Sequence, residues 1–369
     1  MGMSPTSRRT RTRALTGLSA LALAAAGFAA APAAQADQPT SEFAGNSHPY
    51  RHGAVPTKEG AEHANASSAA AARTSNLKFG GSVSGVGVTT GAPQVYLIFW
   101  GSQWGTQGTD SNGYTTLSGD PSGEAVRAQQ LFKGLGTNNE TWSGVMTQYC
   151  EGVAKGATSC PSTAAHVGYP TGGALAGVWV DSSAAAPGQA TGNQIAKEAI
   201  AGAAHFGNTT AASNRNVQYV VLSPTGTHPD GFNTSTGQFC AWHDWNGDTT
   251  LSGGAASSPY GNLAFTNDPY VTDMGSSCGQ NYVNSGSAGL LDGVTMVYGH
   301  EYSETVTDQF PAGGWTDSSG AENADKCAWK GVGGTGGSQN VNFATGSFAM
   351  QGTWSNAVSG CQISHAIVP

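Results

Sequence analysis

Between Arg215 and Lys326 the chain has no lysine and no arginine, yet those 110 residues carry twelve acids: Asp230, Asp244, Asp248, Asp268, Asp273, Asp292, Glu301, Glu304, Asp308, Asp317, Glu322 and Asp325. A fold that buries part of this stretch has no protein cation at hand for its carboxylates. An ionised carboxyl in a dry interior is stable only when it is paired, hydrogen-bonded or bound to a metal. Solvated loops absorb many of the twelve. The informative ones stand at helical spacing.

From Ser287 to Asp308 the residues Leu290, Val294, Val297, Glu301, Glu304 and Asp308 fall on one helical stripe, so the face that begins apolar ends in carboxylates. His300 and Glu304 are four apart and project side by side, with Glu301 adjacent to both. An exposed acidic helix is the alternative, which the apolar start of the stripe opposes. A divalent metal is the economical counter-charge. An imidazole with carboxylates on a helix suits zinc, an all-oxygen set would suit calcium, and manganese is a further alternative.

Composition fits a secreted protein better than a cytosolic one. Charged residues are 10% of the 369, against about 25% in an ordinary soluble domain. The net charge of −8 argues against nucleic acid as a partner. Arg8, Arg9, Arg11 and Arg13 precede an apolar run from Ala14 to Ala31 and an Ala34-Gln35-Ala36 site, the pattern of a signal peptide over 1–36. A membrane anchor is the alternative, but the run is Ala/Gly-rich and no other stretch has the roughly 20 apolar residues of a span. Without 1–36 the chain keeps 11 basic and 23 acidic residues, a net of −12.

Residues 37–77 show no apolar period, so we expect a flexible spacer or propeptide without a core. His48, His52 and His63 are poor ligand candidates there. From residue 78 strand-like and helix-like pieces alternate: Gln94–Trp100, a helix from Glu124 to Leu135, Ala174–Val180, a helix from Gly192 to Phe206, and Val217–Leu222. The uninterrupted apolar runs are those of strands buried on both faces. The expected fold is α/β, with a mixed or mostly parallel sheet flanked by helices, in a single domain over 78–369. Residues 225–286 read as long loops within a loop-rich, disulfide-braced C-terminal half. Six cysteines in an exported chain imply three disulfides, and of the fifteen pairings we expect 150–160, 240–278 and 327–361.

Two resemblances sharpen this reading. His300-Glu301-Tyr302-Ser303-Glu304-Thr305-Val306-Thr307-Asp308, followed by Ser319-Gly320-Ala321-Glu322-Asn323-Ala324-Asp325, resembles the active-site helix and following segment of thermolysin-like zinc peptidases. The resemblance implies His300 and Glu322 as metal ligands, with Glu301 as the general base. It also implies Asp325 as the partner that steadies His300, with Asp308 as a further supporting acid. The second ligand position holds Glu304 where that family has histidine. Two carboxylates and one neutral imidazole cancel the zinc charge, so bound water would have a pKa above the usual value of about 7. Hydrolysis would be slow, shifted to alkaline pH, or absent.

The second resemblance spans about residues 80–365. Val95-Tyr96-Leu97-Ile98-Phe99-Trp100-Gly101, Tyr219-Val220-Val221-Leu222, Phe239-Cys240-Ala241-Trp242-His243, the Glu304-to-Asp308 helix end and Cys361 are similar in order to the phosphate-induced (EXORDIUM-like) extracellular family and its bacterial relatives. That likeness implies a zincin-like architecture here and cell-wall growth proteins without a settled activity among the plant members. They lack the His-Glu pair; this chain keeps it.

His243 is one of three histidines in the cation-free stretch, and its candidate roles are to bind a transition-state oxyanion or to replace Glu304 or Glu322 as ligand. A surface histidine near a disulfide is the plain alternative. His166 and His228 read as loop histidines. The leading expectation is a secreted, monomeric zinc peptidase acting on a peptide or protein, with no membrane span in the mature form. The alternative is a non-catalytic extracellular protein that binds cell-wall polymer or a partner and holds a structural or vestigial metal.

Overall fold

The computed structural model describes Met1 and residues 53–67, 75–234 and 239–369. The expected signal peptide, apart from Met1, and His48 and His52 lie outside the described residues.

Six strands form the main sheet: β1 (Ala54–Pro56), β2 (Gln94–Trp100), β3 (Leu175–Asp181), β4 (Val217–Leu222), β5 (Phe239–Trp245) and β6 (Ala264–Asp268), in the spatial order β1-β5-β6-β4-β2-β3. Strands β6, β4, β2 and β3 run parallel, β5 is antiparallel to β6, and β1 is antiparallel to β5. The sheet is therefore mixed, with its parallel part built from the continuous apolar runs. Alternate residues of those runs serve opposite faces. Leu97, Phe99, Val220 and Leu222 belong to one core; Ile98, Tyr219 and Val221 belong to the other.

Among the described residues, four helices pack around the sheet. Short α1 (Lys58–Ser67) follows β1, and α3 (Gly192–His205) lays Ile195, Ala196, Ala199 and Ala203 on the Ile98 face. Its start is set by a reciprocal cap, in which Gln194 N–H donates to the Thr191 hydroxyl at 3.3 Å and Thr191 N–H donates to Gln194 Oε1 at 2.9 Å. On the Leu97 face lie α2 (Glu124–Gly134) and α4 (Asp292–Thr307). The Asp120 carboxylate accepts the N–H groups of Gly123, Glu124 and Ala125, which offsets the free donors at the start of α2.

Helix α4 differs from its expected one-sided stripe, because all sixteen of its residues are buried. The sheet covers one side, and Phe132 of α2 packs against Tyr298 and Tyr302. The hairpin of β7 (Gln339–Phe343) and β8 (Gly346–Met350) closes another, where the Thr295 hydroxyl donates to the Ala349 carbonyl. A second hairpin, β9 (Thr353–Ser355) with β10 (Gly360–Gln362), follows.

The three disulfides are Cys150–Cys160, Cys240–Cys278 and Cys327–Cys361, paired in chain order. Two expectations need correction. Residues 225–286, read as loops, contain β5 and β6, which were hidden because buried polar residues interrupt their apolar pattern: His243, Asp244, Thr266, Asn267 and Asp268. Residues 37–77 were expected to lack a core, but Ala54 and Val55 are buried in the edge strand β1 and Leu77 is buried as well.

Candidate metal centre

Three elements bring the acidic stretch to one place. Helix α4 carries His300, Glu301 and Glu304, strand β5 carries His243, and the loop after Trp315–Thr316 carries Glu322 and Asp325. That loop is folded by Asp317, whose Oδ1 accepts the N–H groups of Ser319 and Ala321 and whose Oδ2 pairs with Lys326 Nζ at 2.7 Å. It is pinned to the helix twice. Asp325 N–H donates to Glu304 Oε1 at 2.9 Å, and Asn323 Nδ2 donates to the Ser303 carbonyl at 3.1 Å. Lys326, the cation that ends the acidic stretch, is thus engaged by Asp317, outside the cluster's ligand groups.

The orientation of His300 follows from a residue that sequence reasoning missed. Gln351, just after β8, is 1% exposed, and its Nε2 donates to the carbonyls of Ala324 and Gly352 at 2.9 and 3.3 Å. Two backbone acceptors fix which end of the amide is nitrogen, so Oε1 faces His300 Nδ1 at 3.1 Å. Nδ1 therefore carries the proton whenever the ring is neutral. Its Nε2 lone pair then points at two carboxylates, Glu304 Oε1 at 3.0 Å and Asp325 Oδ1 at 3.5 Å. Three acceptor atoms converging in a place without solvent repel one another unless a cation, proton or metal, lies among them.

Two groups have the ligand spacing of a metal site: His300, Glu304 and Asp325, and His243, Glu304 and Glu322. His243 Nε2 is 3.3 Å from Glu322 Oε2 and 3.7 Å from Glu304 Oε2. The groups share only Glu304, each using a different one of its oxygens. The ligand set expected from the resemblance, His300, Glu304 and Glu322, is thus divided between them. Asp325 stands on the ligand side of His300, and Gln351 makes the orienting contact expected of Asp325. Asp308 closes the helix, where its N–H donates to the Glu304 carbonyl at 2.7 Å, and belongs to neither group.

Burial pushes the Glu301 and Glu322 carboxyls well above the ordinary carboxylate range, and Glu304 upward too. Asp308 is pushed up to about 8 by burial and then by Glu304. For His300, burial opposes the charged ring, but Glu304 and Asp325 outweigh it and raise the group well above its usual value. Both oxygens of Glu301 lack a hydrogen-bond partner, as do Glu304 Oε2 and one oxygen of Asp308. These are the signs of a cluster shaped for positive charge.

The site is enclosed: His243, His300, Glu301 and Glu304 are 0% exposed and Glu322 is 1% exposed. Gly53, which precedes β1, lies against it, because a Cβ there would stand 2.0 Å from His243 Nε2 and 3.0 Å from Glu304 Oε2. His166 is engaged elsewhere, its ring nitrogens facing the carbonyls of Thr147 and Pro161. Asp248 accepts Thr250 N–H, as in an ordinary turn.

Comparison with protein-family models, with curated protein sequences and with solved structures gives no match.

Proposed function

We propose that the chain is a secreted, zinc-dependent hydrolase that acts on peptides, with its cation in the cluster around Glu304. The observation that carries this reading is the His300 ring. Gln351 holds its proton on Nδ1, and the bare Nε2 faces two carboxylates in a sealed pocket. Two imidazoles among the donors favour zinc over calcium. The three disulfides fit an oxidising, extracellular setting, and no described helix is long and apolar enough to cross a membrane.

A divalent cation held there would polarise a substrate carbonyl and acidify water. The chain's own groups supply the proton traffic. Neither oxygen of Glu301 receives a hydrogen bond, and burial raises its carboxyl, which makes it a stronger base than an ordinary carboxylate. It takes a proton from water as the water oxygen attacks the carbonyl carbon, then delivers that proton to the amine as the C–N bond breaks. His243 fits the ligand role better than the oxyanion role, since its Nε2 faces Glu304 and Glu322.

The enclosure of the cluster favours a second reading, a structural metal in a non-catalytic extracellular or cell-wall-associated protein. Glu301 separates the two, because a structural site has no use for a base. Purified protein should contain zinc and cleave casein, and Glu301→Gln should keep the zinc and lose cleavage. Zinc without hydrolysis of varied peptides from pH 6 to 10 would leave the structural reading standing.

A further inference from the structure

We propose that this centre holds two divalent cations bridged by the Glu304 carboxylate, one with His300 and Asp325 and one with His243 and Glu322. The inference rests on the metal reading above and goes beyond its single ion. Glu304 Oε1 is the oxygen beside His300 and Oε2 the oxygen beside His243. The second donor group repeats the first, one imidazole and one terminal carboxylate on each side of a shared carboxylate. Each group satisfies ligand spacing by itself, and the two do not merge into one.

Both donor groups are enclosed, with His243, His300 and Glu304 0% exposed and Glu322 1% exposed. Carboxylate-bridged pairs flanked by imidazoles are one of the general solutions for activating water between metals.

The test is stoichiometry by equilibrium dialysis of the full chain against zinc, with bound metal counted by emission spectroscopy. Two ions are expected in the parent chain, one in His243→Asn, one in Asp325→Asn, and none in Glu304→Ala, with folding of each checked by circular dichroism. Manganese-loaded parent chain should give the electron-paramagnetic signature of two exchange-coupled ions. One ion in the parent chain overturns the bridge and leaves the proposed function standing. No ion overturns both. Two uncoupled ions, or a second ion that survives both single variants, assign the extra metal to another place and also overturn the bridge.

A different observation carries a second inference. Strand β1 is the outer edge of the sheet, and its ladder with β5 continues to Gly53, whose carbonyl accepts His243 N–H at 3.3 Å. Opposed residues of an antiparallel pair project to the same face. Gly53 therefore lies directly against the His243 ring, and its missing side chain is what lets the main chain come that close. Only three residues make this strand, and Trp329 Nε1 donating to the Pro56 carbonyl at 2.8 Å is its main side-chain clasp. We infer that residues 53–56 are an internal plug, a strand whose displacement opens the site.

To test this, a specific protease site is placed at residues 69–72 of the full chain and cut after folding. Diethyl pyrocarbonate modification of His243, read by mass spectrometry, needs neither metal nor substrate. Cutting should release the fragment that carries β1 and raise the modification rate at least tenfold. Gly53→Ala, whose Cβ collides with His243, should raise it in the uncut chain. Retention of the fragment after cutting, or release that leaves His243 as protected as before, overturns the plug.

Discussion

Replacement of Gln351 by leucine tests how the centre is organised without touching a ligand. In the parent chain Gln351 Oε1 accepts the His300 Nδ1 proton at 3.1 Å, and the rest of the amide is spent on Ala324 and Gly352. Leucine of similar bulk removes the acceptor and leaves a buried N–H unsatisfied, a loss of about 1–3 kcal/mol. It also frees the ring to turn or to shift its proton to Nε2, the atom that must be bare to bind metal. Partners of ligating histidines typically account for about 10–100-fold in metal affinity. That range corresponds to about 1.4–2.7 kcal/mol, so the two estimates agree. The assay is zinc competition against a chromophoric chelator, with thermal unfolding in EDTA as a separate measure of the scaffold. Gln351→Leu should weaken zinc binding about 10–100-fold. Gln351→Glu should restore most of the affinity through a stronger acceptor, yet unfold at lower temperature because it cannot donate to two carbonyls. A folded Gln351→Leu chain that binds zinc within twofold of the parent would refute the orienting role.

In the metal-free chain stability should fall as pH rises. The folded chain then holds protons on carboxyls raised by burial, Asp308 up to about 8, while unfolded carboxyls release theirs near pH 4. Asp308 therefore favours the folded state at low pH and loses about 1.4 kcal/mol of that advantage per pH unit between about 4 and 8, and Glu301 and Glu322 act in the same direction. Melting in EDTA at pH 5 and pH 8 checks this, and a higher Tm at pH 8 contradicts it. Loss of the Cys240–Cys278 bond, which closes a separation of 38 residues, should destabilise the chain by about 4 kcal/mol on loop entropy, measured as urea unfolding of the double serine variant. Gly202→Val should lower stability by about 1–3 kcal/mol, since even a Cβ there meets Ile98 Cδ1 at 2.3 Å and forces α3 off the sheet. An unchanged urea midpoint would place that helix elsewhere.

The parallel half of the sheet was legible because burial on both faces leaves a continuous apolar run, and Gln94–Trp100 and Val217–Leu222 begin and end where that pattern does. The opposite half was not. β5 and β6 bury His243, Asp244, Asn267 and Asp268, so their composition imitates a loop, and β1 is three residues whose stability comes from its partner strand. Helical spacing sufficed to pair His300 with Glu304, and resemblance pointed to Glu322 and Asp325. The division of those candidate ligands into two groups depends on where β5 delivers His243, which no local pattern encodes. Gln351 carried no signal, since a lone glutamine after a hairpin strand looks like any surface residue until its three buried contacts are seen.

The burial of α4 on every side bears on how such a centre can change over time. A helix with a wet face can drift there freely; each of the sixteen positions on this one answers to a neighbour. The step from glutamate to histidine at position 304 shows the constraint. Glu304 receives Asp325 N–H on one oxygen and faces His243 with the other, so an imidazole there would need a new loop and a new strand position at once. The motif is therefore locked by its surroundings. Redesign toward a two-histidine helix would have to begin with the loop that carries Asp325 and end with the helix.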